Sequence, residues 1–239
     1  MNGRSAIVSR LGIRPSVGDI VRAELDAAFE AAGTTGDGIA VLDAGCGRVS
    51  ALRSYRLRIA RFVGADVHAP LPGTLLHFDE FAEVDLCVDA DAFPADSFDV
   101  ILSSFTVEHF ADPVAAIRNM SGWLRPGGRL VITTINVGHP FVRAYRALPA
   151  ALRGRLQRVI KESPADAHPI VAACNTATDL RAALTGAGLT DIRMVMAGHL
   201  ARAWARWWPT WLLGVAGDLV AQEIPSRRST IVASAAAPR

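Results

Sequence analysis

The nine residues Ile39–Gly47, IAVLDAGCG, restrict this chain more than any other stretch. Ile39, Ala40, Val41 and Leu42 are apolar without alternation, which is the pattern of a central parallel strand covered on both faces. Gly45 and Gly47 follow Asp43 at once. They let the backbone turn tightly and approach a ligand, because a Cβ there would collide or forbid the dihedral angles. A Gly-x-Gly after a strand also occurs in purely structural turns, so its meaning depends on its neighbours.

Ahead of this stretch, Val21, Leu25, Ala28, Phe29 and Ala32 recur at helical spacing within Ser16–Gly33, with Ser16 or Asp19 as cap and Gly33 as stop. Behind it, Arg48–Arg61 has room for a brief helix, and Phe62–Asp66 reads as a second buried strand ending in a carboxylate. The segment 67–83 holds Pro70, Pro72 and Gly73 and is loose where a doubly wound fold would place a helix. Asp85–Asp89, Phe98–Ser104 and Arg129–Ile135 read as third, fourth and fifth strands. Val114, Ile117, Met120 and Trp123 mark a helix over Asp112–Trp123, ended by Pro126-Gly127-Gly128.

Strands alternating with short helices predict a parallel sheet with helices on both faces. Asn136–Cys174 contains four prolines and is too long for a simple link, so it reads as an inserted cap with a helix over Leu152–Ile160. A helix follows over Thr176–Ala187, with Thr176 and Asp179 at capping-box spacing. Two further strands, Asp191–Met196 and Ser229–Ala235, flank a Trp-rich insertion, Ala197–Pro225.

Composition narrows the function classes. Of 239 residues, 51% are hydrophobic and 20% charged, a folded globular balance. The net charge of +2 and basic residues spread along the chain, nearly all Arg, give no nucleic-acid footprint. Cys46, Cys87 and Cys174 lie far apart with no zinc spacing, and with no signal-like N-terminus they predict a reduced, cytoplasmic protein. Trp207–Val220 is too short and too interrupted to span a bilayer.

Asp43, Asp66 and Asp89 stand at the carboxyl ends of the first three predicted strands, where open α/β sheets bind ligands. Asp66 lies about twenty residues beyond the glycine turn, where a carboxylate accepts ribose hydroxyls; Asp89, with the Ala90 backbone beside it, suits an adenine amino group. Ser50 replaces the third glycine that a dinucleotide fingerprint wants, which disfavours an NAD-dependent oxidoreductase. With VLDAGCG, VGAD, DADAFPADSFDVILSSFTVEHFADP and LRPGGRLVITT in this order over residues 39–135, the chain resembles the class I S-adenosylmethionine-dependent methyltransferases, in particular their small-molecule "type 11" group.

The resemblance implies a doubly wound, Rossmann-like α/β sheet of seven strands, mostly parallel with the last antiparallel, helices on both faces, and a cap formed by the two insertions. It implies one domain over 1–239: a helical lead 1–38, a cofactor-binding core 39–135, cap insertions 136–175 and 197–225, and segments 176–196 and 226–239 completing the sheet. The cofactor implied is S-adenosyl-L-methionine. Gly45, Cys46 and Gly47 would approach its methionine portion with Asp43 fixing the loop, Asp66 and Val67 would take the ribose, Asp89 and Ala90 the adenine, and Ser104 would line the site. Val49 departs from the family's third glycine and leaves open a non-catalytic cofactor-binding protein.

Methyl transfer from a sulfonium is an in-line displacement that needs positioning and no metal. His109, just past the fourth strand, is the candidate base toward a hydroxyl, against a capping or packing role. His139 and His168 could face the acceptor or be loop residues with local hydrogen bonds. His68, His77 and His199 have no partner at metal spacing and receive no role. Trp207 and Trp208, with Trp204 and Trp211, form a lid packed on the core, an aromatic wall for a lipophilic acceptor, or a membrane-interface segment. The expected acceptor is a small, hydrophobic or lipid-like molecule methylated at oxygen, with peripheral contact at the inner membrane face as a further option, and the partners exclude nucleic acid.

Overall fold

In a computed structural model, the backbone is described over residues 16–33, 38–47, 50–68, 77–160, 170–204 and 207–239, with side chains omitted over 156–160. Helix α1 (Val17–Ala32) begins where the Ser16 hydroxyl accepts the Asp19 N–H at 3.4 Å and stops at Gly33, whose φ of 65° no Cβ-bearing residue adopts cheaply. It buries Val21, Leu25, Ala28 and Phe29, the stripe the spacing predicts.

Strand β1 (Ile39–Ala44) is buried at every position and sits between β2 (Ile59–Asp66) and β4 (Phe98–Ser104), parallel to both. Its residues divide by parity. Ala40, Leu42 and Ala44 enter one core cluster, Ile39 and Val41 the other, because successive side chains leave opposite faces of a strand. Helix α1 and a 3-10 helix (Ala51–Arg58) close the second cluster; helix α2 (Pro113–Trp123) closes the first. With β3 (Glu80–Glu83), β5 (Leu124–Ile135), β6 (Thr190–Ala197) and β7 (Thr230–Ala236), the sheet runs β3-β2-β1-β4-β5-β7-β6. Strand β7 is antiparallel to both β5 and β6. A seven-stranded, mostly parallel sheet with its last strand reversed is the expected architecture.

The third strand is a correction. It lies at Glu80–Glu83, within the stretch read as loose, and Asp85–Asp89 is a turn. Two carboxylates make it so: Asp85 Oδ1 accepts the Cys87 N–H at 2.9 Å and Asp89 Oδ2 accepts the Asp85 N–H at 2.8 Å. Val88, which a strand would have buried, is 73% exposed. Residues 69–76 of the loose stretch lie outside the described residues. Strand β5 also starts earlier than Arg129, running through Pro126-Gly127-Gly128 with an irregular register against Phe98 and Val100.

The first insertion holds α3 (Pro140–Ala147), which the sequence did not signal, and α4 (Ala150–Ile160), which it did. Helix α5 (Ala177–Gly186) is capped by Thr176, whose hydroxyl accepts the Asp179 N–H at 3.1 Å. The Trp-rich insertion folds into a single turn, α6 (Leu200–Ala203), and a longer helix, α7 (Trp208–Gln222). Among the described residues no helix is long and apolar enough to cross a membrane.

Candidate active site

At the carboxyl ends of β1, β2 and β4, where the strand order reverses, a cavity of about 870 Å³ opens. Its floor is the glycine turn. The N–H groups of Gly45 and Cys46 both donate to the Ala65 carbonyl, at 2.8 and 3.1 Å, binding the turn to the end of β2. Gly45 has φ 76°, and a Cβ on it would run into the Thr106 side chain. Gly47, at φ 50°, has no atom of the described residues within 4 Å of where its Cβ would stand. One glycine therefore serves close packing within the protein, and the other keeps space clear.

Asp66 sits at the cavity edge with its carboxylate oriented from both sides. The Gly47 N–H donates to Oδ2 at 3.1 Å and the His68 N–H to Oδ1 at 3.2 Å. Of the residues expected to hold a cofactor, Gly45, Cys46, Gly47, Asp66, Val67 and Ser104 line this cavity; Asp43, Asp89 and Ala90 do not. In place of the last pair stand Asp85 and Leu86. Their loop is pinned by the Asn119 amide donating to the Leu86 carbonyl and by Trp123 Nε1 donating to the Ala90 carbonyl. The displacement follows from the strand ending at Glu83 instead of Asp89.

Asp43 lies behind the turn, 2% exposed, and its Oδ2 has no hydrogen-bonding partner among the described residues. Burial pushes its carboxyl up to about 7, with the Ser50 hydrogen bond opposing and the Asp66 charge adding. Ser50 itself caps the following 3-10 helix, its hydroxyl accepting the Leu52 N–H at 3.1 Å. Val49 lies outside the described residues, as does His168. Burial also pushes the Cys46 thiol up to about 12, so it is no nucleophile near neutral pH.

The far end of the cavity is walled by the cap. Tyr145 of α3, Val171, Leu200 and Trp204 face it, with Phe105 and Phe110 from the segment after β4. His109 lines it too, carried on a 3-10 turn (Val107–His109) in which its N–H donates to the Thr106 carbonyl at 2.9 Å. Glu108, beside it, accepts the Thr134 hydroxyl at 2.8 Å.

Three expected acceptor residues stand elsewhere. His139 is 1% exposed and caps α3: Nδ1 accepts the Phe141 N–H at 3.1 Å, leaving Nε2 to donate to the Gly217 carbonyl at 3.3 Å. Trp207 and Trp208 are 52% and 59% exposed on the outside of the cap, and it is Trp204 that reaches the cavity. Sequence reasoning missed Tyr145 and Asp85, named Trp204 only as a member of the tryptophan cluster, and gave His199 no role although that ring also lines the cavity. Only the tryptophan cluster carried a legible signal.

The fold and the glycine turn at its switch point define a class I S-adenosylmethionine-dependent methyltransferase. The chain belongs to the methyltransferase-domain family whose model matches residues 19–194. It is 31% identical over 220 residues to nocamycin O-methyltransferase of Saccharothrix syringae, covering 82% of this chain and 76% of the relative. It is 31% identical over 182 residues to ubiquinone biosynthesis O-methyltransferase of Mesorhizobium japonicum, covering 71% of this chain and 68% of the relative. Its fold is similar to that of phosphoethanolamine N-methyltransferase 2 of Haemonchus contortus in complex with S-adenosyl-L-methionine, with TM-score 0.58, 16% identity, and coverage of 91% of this chain and 53% of that one. It is also similar to that of geranyl diphosphate C-methyltransferase from Streptomyces coelicolor, with TM-score 0.56, 14% identity, and coverage of 90% and 79%.

Proposed function

We propose that this methyltransferase acts at oxygen on a small, apolar acceptor, with the aromatic end of the cavity as the acceptor subsite. One observation carries the reading. A single cavity runs from the glycine turn to a wall of Phe105, Tyr145 and Trp204 under the cap, so an acceptor seated there would be shielded from water beside the cofactor floor. The names of the two O-methyltransferase relatives support oxygen as the atom.

The chain's residues fit the cofactor. The clear space at Gly47 would leave room for its methionine end, the Asp66 carboxylate would accept the ribose hydroxyls, and Asp85 with Leu86 would face the adenine. Bound S-adenosylmethionine supplies a methyl group on a positive sulfur, already activated for in-line displacement. The protein's part is to align the acceptor oxygen with that methyl group and exclude water, and His109, which lines the cavity, would take the hydroxyl proton.

The outer face of α7 extends this reading. Trp208, Leu212, Leu213, Leu219 and Val220 are all exposed there, next to Trp207. The first insertion adds five arginines between 136 and 160 with no Asp or Glu among them. An exposed apolar helix face, together with an arginine-rich first insertion, suits peripheral contact with an anionic membrane, where lipid-like acceptors reside.

Transfer of label from S-adenosylmethionine to a panel of apolar phenols and polar hydroxy-metabolites tests the function. The reading expects label in the apolar set. Label confined to polar acceptors, or to nitrogen, would overturn it.

A further inference from the structure

Two histidines in this protein occupy the same structural position and are used in opposite ways. His139 and His199 are the N-cap residues of α3 and α6. The ring of His139 spends both nitrogens on the protein, one on the cap and one on the Gly217 carbonyl, and is closed off from the cavity. The ring of His199 makes no capping bond.

Asp218 of α7 has taken over that work. Its carboxylate accepts the N–H groups of His199, Leu200 and Ala201 at 3.1, 3.2 and 2.9 Å, and the Ser229 hydroxyl also donates to it. The Ser229 oxygen in turn accepts the His199 N–H at 2.8 Å. Relieved of capping, the imidazole lies stacked on Phe105, with centroids 5.0 Å apart and planes 25° from parallel, and lines the cavity near Trp204. Nδ1 is sealed from solvent and has no partner among the described residues.

Burial, helped by the charge of Arg202, pushes this imidazole down to about 4, so it is neutral near pH 7. A neutral ring carries one proton. A sealed nitrogen with no acceptor is better left as a lone pair than as an orphaned N–H, which places the proton on Nε2. Any hydrogen bond from this ring to a molecule in the cavity then runs through Nε2 as donor.

We infer that His199 is an acceptor-contacting residue, whose Nε2–H donates to an oxygen of a flat, oxygen-substituted ring held between Phe105 and the cap aromatics. The inference rests on the apolar-acceptor reading above and adds to it a specific partner. His199 stays a donor throughout the reaction and does not take the hydroxyl proton. Its role is to distinguish a ring bearing oxygen from a bare hydrocarbon of the same shape, because a site with a donor to satisfy penalises the analogue that leaves it unpaired.

The test uses the full chain saturated with S-adenosylhomocysteine and two probes, 4-hexylphenol and hexylbenzene, titrated calorimetrically against wild type, His199→Phe and His199→Gln. The Phe variant keeps the stack on Phe105 and removes both nitrogens; the Gln variant restores a donor. We expect His199→Phe to weaken 4-hexylphenol about five- to tenfold, as loss of one net hydrogen bond does, while leaving hexylbenzene and S-adenosylhomocysteine unchanged. His199→Gln should recover part of the loss. If both probes bind but weaken equally in His199→Phe, or neither weakens, the ring is only a packing element and the inference is overturned. Failure of both probes to bind wild type overturns the apolar-acceptor reading, and the inference falls with it.

Discussion

The carboxylate of Asp218 accepts the backbone N–H of His199 at 3.1 Å, so the turn that lines the acceptor end is capped from a neighbouring helix and not by its own N-cap side chain. Truncating Asp218 strands the buried N–H groups of Leu200 and Ala201 and the Ser229 hydroxyl, while the His199 N–H keeps the Ser229 oxygen. Asp218→Ala should therefore cost roughly 2–4 kcal/mol in urea unfolding, and Asp218→Asn, which keeps one acceptor oxygen, clearly less. Equal midpoints for the two variants would show that the capping geometry contributes little.

The two loop glycines should respond differently to the same change. Gly45→Ala forces a Cβ into Thr106 at a left-handed φ and should destabilise the fold by roughly 2–4 kcal/mol. Gly47→Ala meets open space and carries only the strain of its φ, roughly 1–2 kcal/mol, yet its methyl projects where the cofactor would lie. Thermal unfolding and calorimetry with S-adenosylhomocysteine together separate the cases: the first variant loses stability most, the second affinity most.

Asp66→Ala should weaken cofactor binding by roughly 2–3 kcal/mol, since it removes charge-assisted acceptors at the ribose position. Asp89→Ala should change it by well under about 1 kcal/mol. Losing Asp89 frees the Asp85 N–H that its Oδ2 accepts, but Asn119 and Trp123 still hold the loop. A loss at Asp89 as large as that at Asp66 would return Asp89 to the site.

Stability should carry the signature of His199. Its ordinary pKa of 6.5 falls to about 4 in the fold, so the native state binds fewer protons than the unfolded chain between those values. The neutral ring's stability is whole above pH 6.5 and is lost as pH falls toward 4, by about 3 kcal/mol in all at 1.36 kcal/mol per unit. His199→Phe should flatten this part of the pH profile of the unfolding free energy. An unchanged slope would mean that other groups carry it.

Wild-type protein should float with vesicles containing anionic lipid, and the paired substitution Trp207→Ala, Trp208→Ala should reduce flotation while leaving cofactor affinity intact. Both rings lie outside the cavity, so the double variant separates surface attachment from acceptor binding. Flotation that is equal for the two proteins, or absent for both, would remove the membrane from the proposed function.

What the sequence determined by itself was local and periodic. The unbroken apolar run Ile39–Leu42 can be covered on both faces only at the centre of a sheet, and it lies there; the caps at Ser16 and Thr176 and the glycine at 33 act within one turn of where they are written. The placement of Asp66 at the mouth of the cavity was legible for the same reason, because Phe62–Ala65 is a continuous apolar run and the residue after it can only emerge at the carboxyl edge. Tertiary structure decided the rest. Asp89 and Asp85 are both carboxylates flanking an apolar triplet, and side-chain hydrogen bonds to the backbone, invisible to hydrophobic periodicity, made that triplet a turn and brought Asp85 to the cavity. His139 and His199 follow strands in similar fashion, and nothing near either in sequence separates them. A carboxylate 19 residues beyond His199, brought over by the packing of α7 on α6, caps the turn in its place. Long-range contacts of this kind have no period and no spacing to read, which is why the aromatic end of the cavity and Asp85 came from the fold, and the glycine turn and Asp66 from the sequence.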